Sequence, residues 1–290
     1  MISNSVAIVV LAAAVIGLQI VRERTFPSAD APQQVLYVTS PAALGRLALS
    51  FDAIVADLYW IRTIQYYGST RLSTKADKNY DLLYPLLDFT TSLDPDFSVP
   101  YRFGAFFLSE ERPGGAGRGD LAIRLLEKAI AAHPDRWEYP HDVAFVHYRN
   151  RDYRTAARWF ERAADTPGAP DWLRPLVGAM LTTGGDTMSA RLVWRSLLNS
   201  EVEFMRRDAA RRLQQLDAID TIALLKRATG AYTARTGRRP SSWQDMIRAG
   251  MLRGVPLDPV GTAYLLDPAS GDVTLDPRSS LSPLTMEQPS

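Results

Sequence analysis

The stretch DYRTAARWFERAA, Asp152 to Ala164, decides how the chain is read. Its small and large residues return 34 positions upstream, in DLAIRLLEKAIAAHP, and 34 downstream, in DTMSARLVWRSLL. Ala122, Ala156 and Ala190 form one set; Leu126, Phe160 and Trp194 a second; Ala129, Ala163 and Leu197 a third. Three interlocked sets at a single period mark a repeat array. Each copy carries an apolar face that it cannot bury alone, and stacked neighbours cover it.

The rest of the chain is consistent with such an array. At 290 residues, 46% hydrophobic and 22% charged, it is ordinary globular material. A net charge of +1 creates no field that would draw it to nucleic acid. There is no cysteine, which removes disulfides, thiolate metal sites and thiol nucleophiles together.

The N-terminus is different. MISNSVAIVVLAAAVIGLQIVRER has no charged side chain before Arg22 and no polar stripe. Its core from Val6 to Val21 spans about 24 Å as a helix at ~1.5 Å per residue, and Ile2 to Ser5 extend it. A transmembrane anchor over residues 1–24 is expected. A cleaved signal peptide is the competing reading, but Arg22 to Arg24 intervene before Ala29-Asp30-Ala31 and no basic segment leads the apolar run. The expected location is a bacterial inner membrane, single-pass. Arg22 and Arg24 favour a cytoplasmic body by the positive-inside rule, yet the side stays open.

Residues 25–40 read as a linker rich in proline and small polar residues. Ser40-Pro41 is a helix start, followed by PAALGRLAL and then by FDAIVADLYWIRTIQYYG. In the latter, Ile54, Leu58, Ile61 and Ile64 keep a 3–4 spacing that predicts a packing face. NYDLLYPLLDFTTSLDPDF is its partner, with a bend expected near Pro85. Helical pairs follow: VPYRFGAFFLSEE with LAIRLLEKAIAAHP, EYPHDVAFVHYRN with DYRTAARWFERAA, and DWLRPLVGAMLTT with DTMSARLVWRSLLNS. RPGGAGRGD reads as an inserted turn. EVEFMRRDAARRLQQL and DTIALLKRATGAYTART form a final, less regular pair.

This pattern resembles the tetratricopeptide repeat (TPR) family. That family places a small residue at the eighth position, alanine at the twentieth, an aromatic at the twenty-fourth, a small residue at the twenty-seventh and proline at the thirty-second. Gly104, Ala144 and Gly178 match the eighth, the first displaced by the insertion. Ala122, Ala156 and Ala190 match the twentieth, Phe160 and Trp194 the twenty-fourth, Ala129 and Ala163 the twenty-seventh, and Pro134 the thirty-second. Departures are the missing fourth-position tryptophan, Leu197 at a small-residue seat, and Arg151 in place of the turn glycine. The resemblance implies a mainly α fold: a right-handed superhelical α-solenoid of TPR-type hairpins over 41–215, behind a transmembrane helix. It also implies that the first helix of each pair lines a concave groove. By position the lining is Tyr101, Ala105 and Leu108, then His141, Phe145 and Tyr148, then Pro175, Ala179 and Thr182. Such an aromatic and apolar lining suits an apolar or aromatic segment of a partner protein.

Residues 216–279 are expected to form a helix and a small α+β tail. Ser241-Ser242 caps a short helix through Trp243, and TAYLL and DVTL are strands joined by DPASG. Gly237, Pro240, Trp243, Pro256, Asp258, Pro259, Gly261, Tyr264 and Gly271 resemble the turn-rich end of pseudopilin-like proteins, although the pilin N-terminal signature is absent. Residues 280–290 are expected to be disordered.

No catalytic constellation stands out. His133, His141 and His147 are not spaced as metal ligands on one helix face. Asp258, Asp267, Asp272 and Asp276 would approach one another around the hairpin, and the pseudopilin resemblance makes calcium conceivable there; ordinary Asp-Pro turns are the simpler account. Arg206, Arg207, Arg211 and Arg212 read as a solvated helix face. No cofactor, metal or nucleic-acid partner is expected. The expected function is a membrane-anchored scaffold or assembly protein, in a pilus or secretion-type envelope complex. The alternatives are a structural accessory subunit, with Trp60, Tyr66 and Tyr67 exposed, and an enzyme with a site between solenoid and tail.

Overall fold

A computed structural model of the protein describes residues 14–18, 21 and 51–284. The linker and the helix expected over 41–49 lie outside the described residues, as does most of the expected membrane segment. Among the described residues no helix is long and apolar enough to cross a membrane. The chain is mainly helical, with one two-stranded antiparallel sheet. It divides into two compact units, residues 1–133 and 134–290.

In the first unit α1 (Asp52–Leu72) pairs with α2 (Leu83–Leu93), and α3 (Ser98–Ser109) with α4 (Gly119–Ala132). Pro85 causes no bend. It falls in the first turn of α2, where a missing N–H costs nothing. The face of α1 that turns inward is Ala56, Thr63, Tyr66 and Tyr67, not the expected Ile54, Leu58, Ile61 and Ile64, which are exposed. Helix α3 presses on its neighbours through Gly104. A Cβ there would lie 2.8 Å from Leu87 Cδ1 and 3.1 Å from Leu125 Cδ2.

The inserted turn is pinned, not loose. Gly117 N–H donates to Glu110 O (2.8 Å) and Arg118 N–H to Leu108 O (2.7 Å), folding it back over the end of α3. Tyr67 Oη donates to Glu110 Oε2 (2.7 Å) and Tyr80 Oη to Pro113 O (3.0 Å). Burial, followed by the Glu110 carboxylate, pushes the Tyr67 hydroxyl up to about 12.

The second unit contains α5 (Glu138–Arg149), α6 (Tyr153–Ala164), α7 (Leu173–Thr183), α8 (Thr187–Leu197), α9 (Glu203–Thr236) and α10 (Trp243–Arg248). From α5 to α9 each helix packs on the next. Ala122, Ala156, Ala190, Leu126, Phe160, Trp194, Ala129, Ala163 and Leu197 are all buried, each in the second helix of its own pair. Two further features share the period. Asp152 and Asp186, 34 apart, both cap helices, accepting from Thr155 N (3.2 Å) and Ser189 N (3.1 Å). Gly117, Arg151 and Gly185, again 34 apart, are all left-handed at φ 64°, 60° and 77°. Arg151 therefore keeps the turn that glycine makes elsewhere, against the clash that disfavours this region for a side chain.

The expected final pair is one helix. Residues 203–229 contain no glycine or proline, so nothing stops α9 before its left-handed cap at Gly237. Its first half shares a core with α8 around Ala190, Trp194, Ala209 and Leu216. Its second half shares another with Trp243, Met246, Tyr264, Val273 and Leu281. There β1 (Leu265–Leu266) pairs with β2 (Val273–Thr274), Leu265 opposite Thr274. Residues 280–284, expected to be disordered, are docked. Leu281 is buried, and Gln215 Nε2 donates to Leu281 O (2.7 Å) and Pro283 O (3.1 Å). The buried Leu281 carbonyl and the carbonyl of Pro283 find their donor on α9, which the sequence pattern alone does not reveal. Residues 285–290 lie outside the described residues.

Two substitutions test this packing. Gly178→Ala gains about 1 kcal/mol of helix propensity, but its methyl would sit 2.6 Å from Trp194 Cε2. Overpacking of about 1–3 kcal/mol is expected to outweigh that gain and lower the urea midpoint, with partial recovery in Gly178→Ala/Trp194→Phe. A raised midpoint for the single variant would show slack between the helices. Arg151→Gly is expected to stabilise by roughly 0.5–1 kcal/mol, and a lower midpoint would mean that contacts of the arginine outweigh the strain.

Candidate functional site

Trp137, which caps α5, and His141, Phe145 and Tyr148 on that helix stand at i, i+4, i+8 and i+11, one face over about 16 Å. Trp172, just before α7, meets the top of this stripe. Trp137 and Trp172 lie 5.8 Å apart between ring centroids and almost perpendicular, and His141 stands 5.9 and 5.8 Å from them, edge to face. His141 also meets the buried Phe160 at 5.6 Å. Lower down, Phe145 and Tyr148 are 5.8 Å apart, and Tyr153 adjoins Tyr148 at 6.1 Å. Each such pair adds about 0.5–1.5 kcal/mol beyond its buried area, so the rings hold one another in place. Phe145, Tyr148 and Trp172 remain exposed.

Of the nine residues expected to line a groove, His141, Phe145 and Tyr148 are brought together on this surface. The other six are not. Tyr101, Ala105 and Leu108 are buried in the first unit, and Tyr101 Oη donates to Thr91 O (3.2 Å). The close approach at Gly104 makes 101, 104, 105 and 108 the inward stripe of α3, and Val99, Phe103 and Phe106 face out instead. Thr182 is buried too, donating to Gly178 O (2.8 Å) and accepting from Trp194 Nε1 (3.3 Å). Pro175 and Ala179 are half-buried, and Ala179 packs against the Trp194 core. Trp137, Trp172 and Tyr153 were not foreseen. The available signal was an aromatic in the capping position just before each of α5 and α7.

The three histidines are held apart from one another, each by its own neighbours. His141 Nδ1 is 2.9 Å from Asp142 Oδ1, His147 Nδ1 is 3.3 Å from Asp152 Oδ2, and His133 Nε2 is 2.9 Å from Pro95 O. Hydrogen bonds from Thr155, with His147 adding to them, hold the Asp152 carboxyl below its ordinary range. The four tail aspartates do not converge on a calcium site. Asp258 accepts from Thr262 N (2.7 Å) and Ser279 Oγ (2.5 Å), Asp267 from Ser270 Oγ (2.5 Å), Asp272 pairs with Lys226 (2.7 Å) and Asp276 with Arg278 (2.7 Å). Each carboxylate is satisfied by its own turn or neighbour. Among the described residues no three metal-ligating side chains come together.

The arginine cluster is not a uniformly solvated face. Arg206 donates to Ser200 O (2.7 Å), Arg211 reaches Ser280 O and Ser282 O at 3.4 and 3.5 Å, and Arg212 bonds Gln215 Oε1 (3.1 Å). Of the aromatics expected on the surface for a structural subunit, Tyr66 and Tyr67 are buried, and Trp60 is half-buried and stacks on Phe107. A cavity of about 510 Å³ opens beside the start of α9, lined by Asp171, Arg174, Leu197, Glu201, Val202 and Met205, with no histidine and no tail aspartate in its lining. No protein-family model matches the chain, and no curated protein matches it.

The tail should be acid-labile. The Arg278 side chain and then its backbone N–H hold the Asp276 carboxyl down at about 2. A depressed carboxyl stabilises the fold above its unfolded value, about 3.9, and that contribution is lost as pH falls toward 2. Hydrogen-exchange protection across residues 256–281 is expected to decline between about pH 4 and pH 2. Asp276→Asn should flatten that decline; an unchanged profile would assign it to other carboxylates.

Proposed function

We propose that this protein is a membrane-tethered scaffold of TPR type, a right-handed superhelical array that captures an apolar or aromatic segment of a partner protein on the ring surface of α5. The observation that carries the reading is the set of exposed, braced rings: Trp172 against His141, and Phe145 against Tyr148. Large rings with few rotatable bonds bury much area at little entropic cost, which is why aromatics dominate binding energetics. The equivalent seats of the 34-residue sets support the family resemblance. The apolar N-terminal segment supports a single-pass tether in a bacterial inner membrane, and the pseudopilin-like residues of the tail support work beside a pilus or secretion apparatus. The protein acts by binding, not by catalysis.

The test is capture of partners from detergent-solubilised membranes. The wild-type chain is expected to recover a consistent protein, and Phe145→Ala/Tyr148→Ala to recover at least about 30-fold less, for a loss of about 2 kcal/mol or more. Both side chains are exposed, so the thermal midpoint should stay within a few degrees. No consistent partner, or equal recovery by the double variant, sinks the reading.

A further inference from the structure

Three rings at the top of the α5 surface stand at right angles. Trp137, His141 and Trp172 are separated almost equally, 5.8 to 5.9 Å between centroids, and inclined at 79, 85 and 89° to one another. A ring that turns its edge to another leaves its own two faces uncovered by that contact. His141 meets the buried Phe160 on its inner side, and Trp172 is 47% exposed, so indole surface stays in reach of solvent. The faces are the negative part of the ring quadrupole, and tryptophan attracts a cation best.

Carboxylates flank these rings. Asp142 Oδ1 accepts from His141 Nδ1 (2.9 Å), which sets the tautomer and places negative charge beside the imidazole. Asp171, just before Trp172, is exposed. The arginines nearest along the chain are engaged elsewhere: Arg136 lies over the Tyr139 ring, and Arg174 pairs with Asp165 (3.2 Å). Two other indoles are covered from within the chain, Trp159 by Arg162 at 5.0 Å and Trp194 by Arg212 at 6.0 Å. Among the described residues no arginine or lysine is so placed over Trp137 or Trp172.

We propose that Trp137, His141 and Trp172 form a cation-binding corner that takes an arginine or lysine side chain of the partner segment. The source of the cation rests on the reading of partner capture on α5; the site itself rests on the three rings. Walls at right angles with these separations share a point about 4 Å from each centroid, the separation divided by √2, well within the ~6 Å over which a ring attracts a cation. The captured segment is then apolar or aromatic against Phe145 and Tyr148, and basic about 10 Å away along α5, against the two indoles.

Six tryptophans make the site readable by fluorine NMR of the full-length protein carrying 5-fluorotryptophan, in a maltoside micelle at about pH 8, where an ordinary imidazole is neutral. Trp137→Phe and Trp172→Phe assign the two signals. N-acetylarginine amide and choline are each expected to shift both signals saturably and to leave those of Trp194 and Trp243 in place. The uncharged isostere of choline, 3,3-dimethylbutanol, is expected to bind at least about 5-fold more weakly. Trp172→Leu keeps apolar bulk without a π face and should weaken choline binding by at least about 5-fold, with the thermal midpoint within a few degrees because the side chain is so exposed. An equal response to the isostere would reduce the corner to an apolar contact and overturn the proposal. So would no shift at either tryptophan, or choline binding undiminished in Trp172→Leu. A response to choline without one to N-acetylarginine amide would assign the corner to a lipid's quaternary ammonium headgroup, and would overturn it too. The titration contains no partner protein, so its failure is distinct from a failure of partner capture.

Discussion

Gly104 and Gly178 leave no room for a methyl group beside the large side chains pressed onto them, and the packing of their helices follows from that approach. At Gly178 the space belongs to the indole of Trp194, which is buried and donates to Thr182 one turn further along the same helix. At Gly104 it belongs to Leu87 and Leu125. A small residue on the first helix and a large one on the second make a pair of helices whose remaining apolar surface has to be covered by another helix. Around Ala144, Ala156, Phe160, Leu173 and Val177 that cover is visible, since residues of three successive helices share one core. The same constraint explains why burial is so complete at the periodic positions. A seat in which a large side chain lies directly on a glycine tolerates little variation in volume.

The long helix α9 carries a different burden. Two cores sit on it end to end, one shared with α8 and one with the tail. Arg191 ties α8 to it through both Asp217 (2.5 Å) and Asp220 (2.6 Å). A two-residue hairpin is not stable by itself in water. Here it is held by Val273 under the helix, by the Trp243 indole donating to Tyr264 O (2.9 Å), and by Gln215 clasping the residues after it. Because α9 is unbroken, the tail is set in a fixed direction from α8.

The ring surface on α5 owes its order to the same frame. His141 contacts two exposed or half-buried tryptophans outward and the buried Phe160 inward, so the surface rings are anchored to the core. The turn at Arg151 brings Tyr153 back against Tyr148. An aromatic patch assembled this way is pre-organised. Little conformational freedom remains in its rings.

Much of this was legible in the residues alone. The 34-residue sets, the paired helices and the tail hairpin follow from local rules of spacing and turn chemistry, which act over a few residues and leave their mark in the order of the chain. Other features had no such mark. Helix α1 is apolar on two faces, and periodicity cannot say which one turns inward. Tyr101, Ala105 and Leu108 matched groove positions, yet lie inside because α3 is pressed home at Gly104. The docking of residues 280–284 and the joining of Trp137 and Trp172 across 35 positions depend on contacts between distant parts of the chain. The sequence by itself determined which elements form and which seats must be small, because propensity and sterics are local. Only the tertiary structure decided which apolar faces are core and which are surface, because burial belongs to a pair of elements and not to either one.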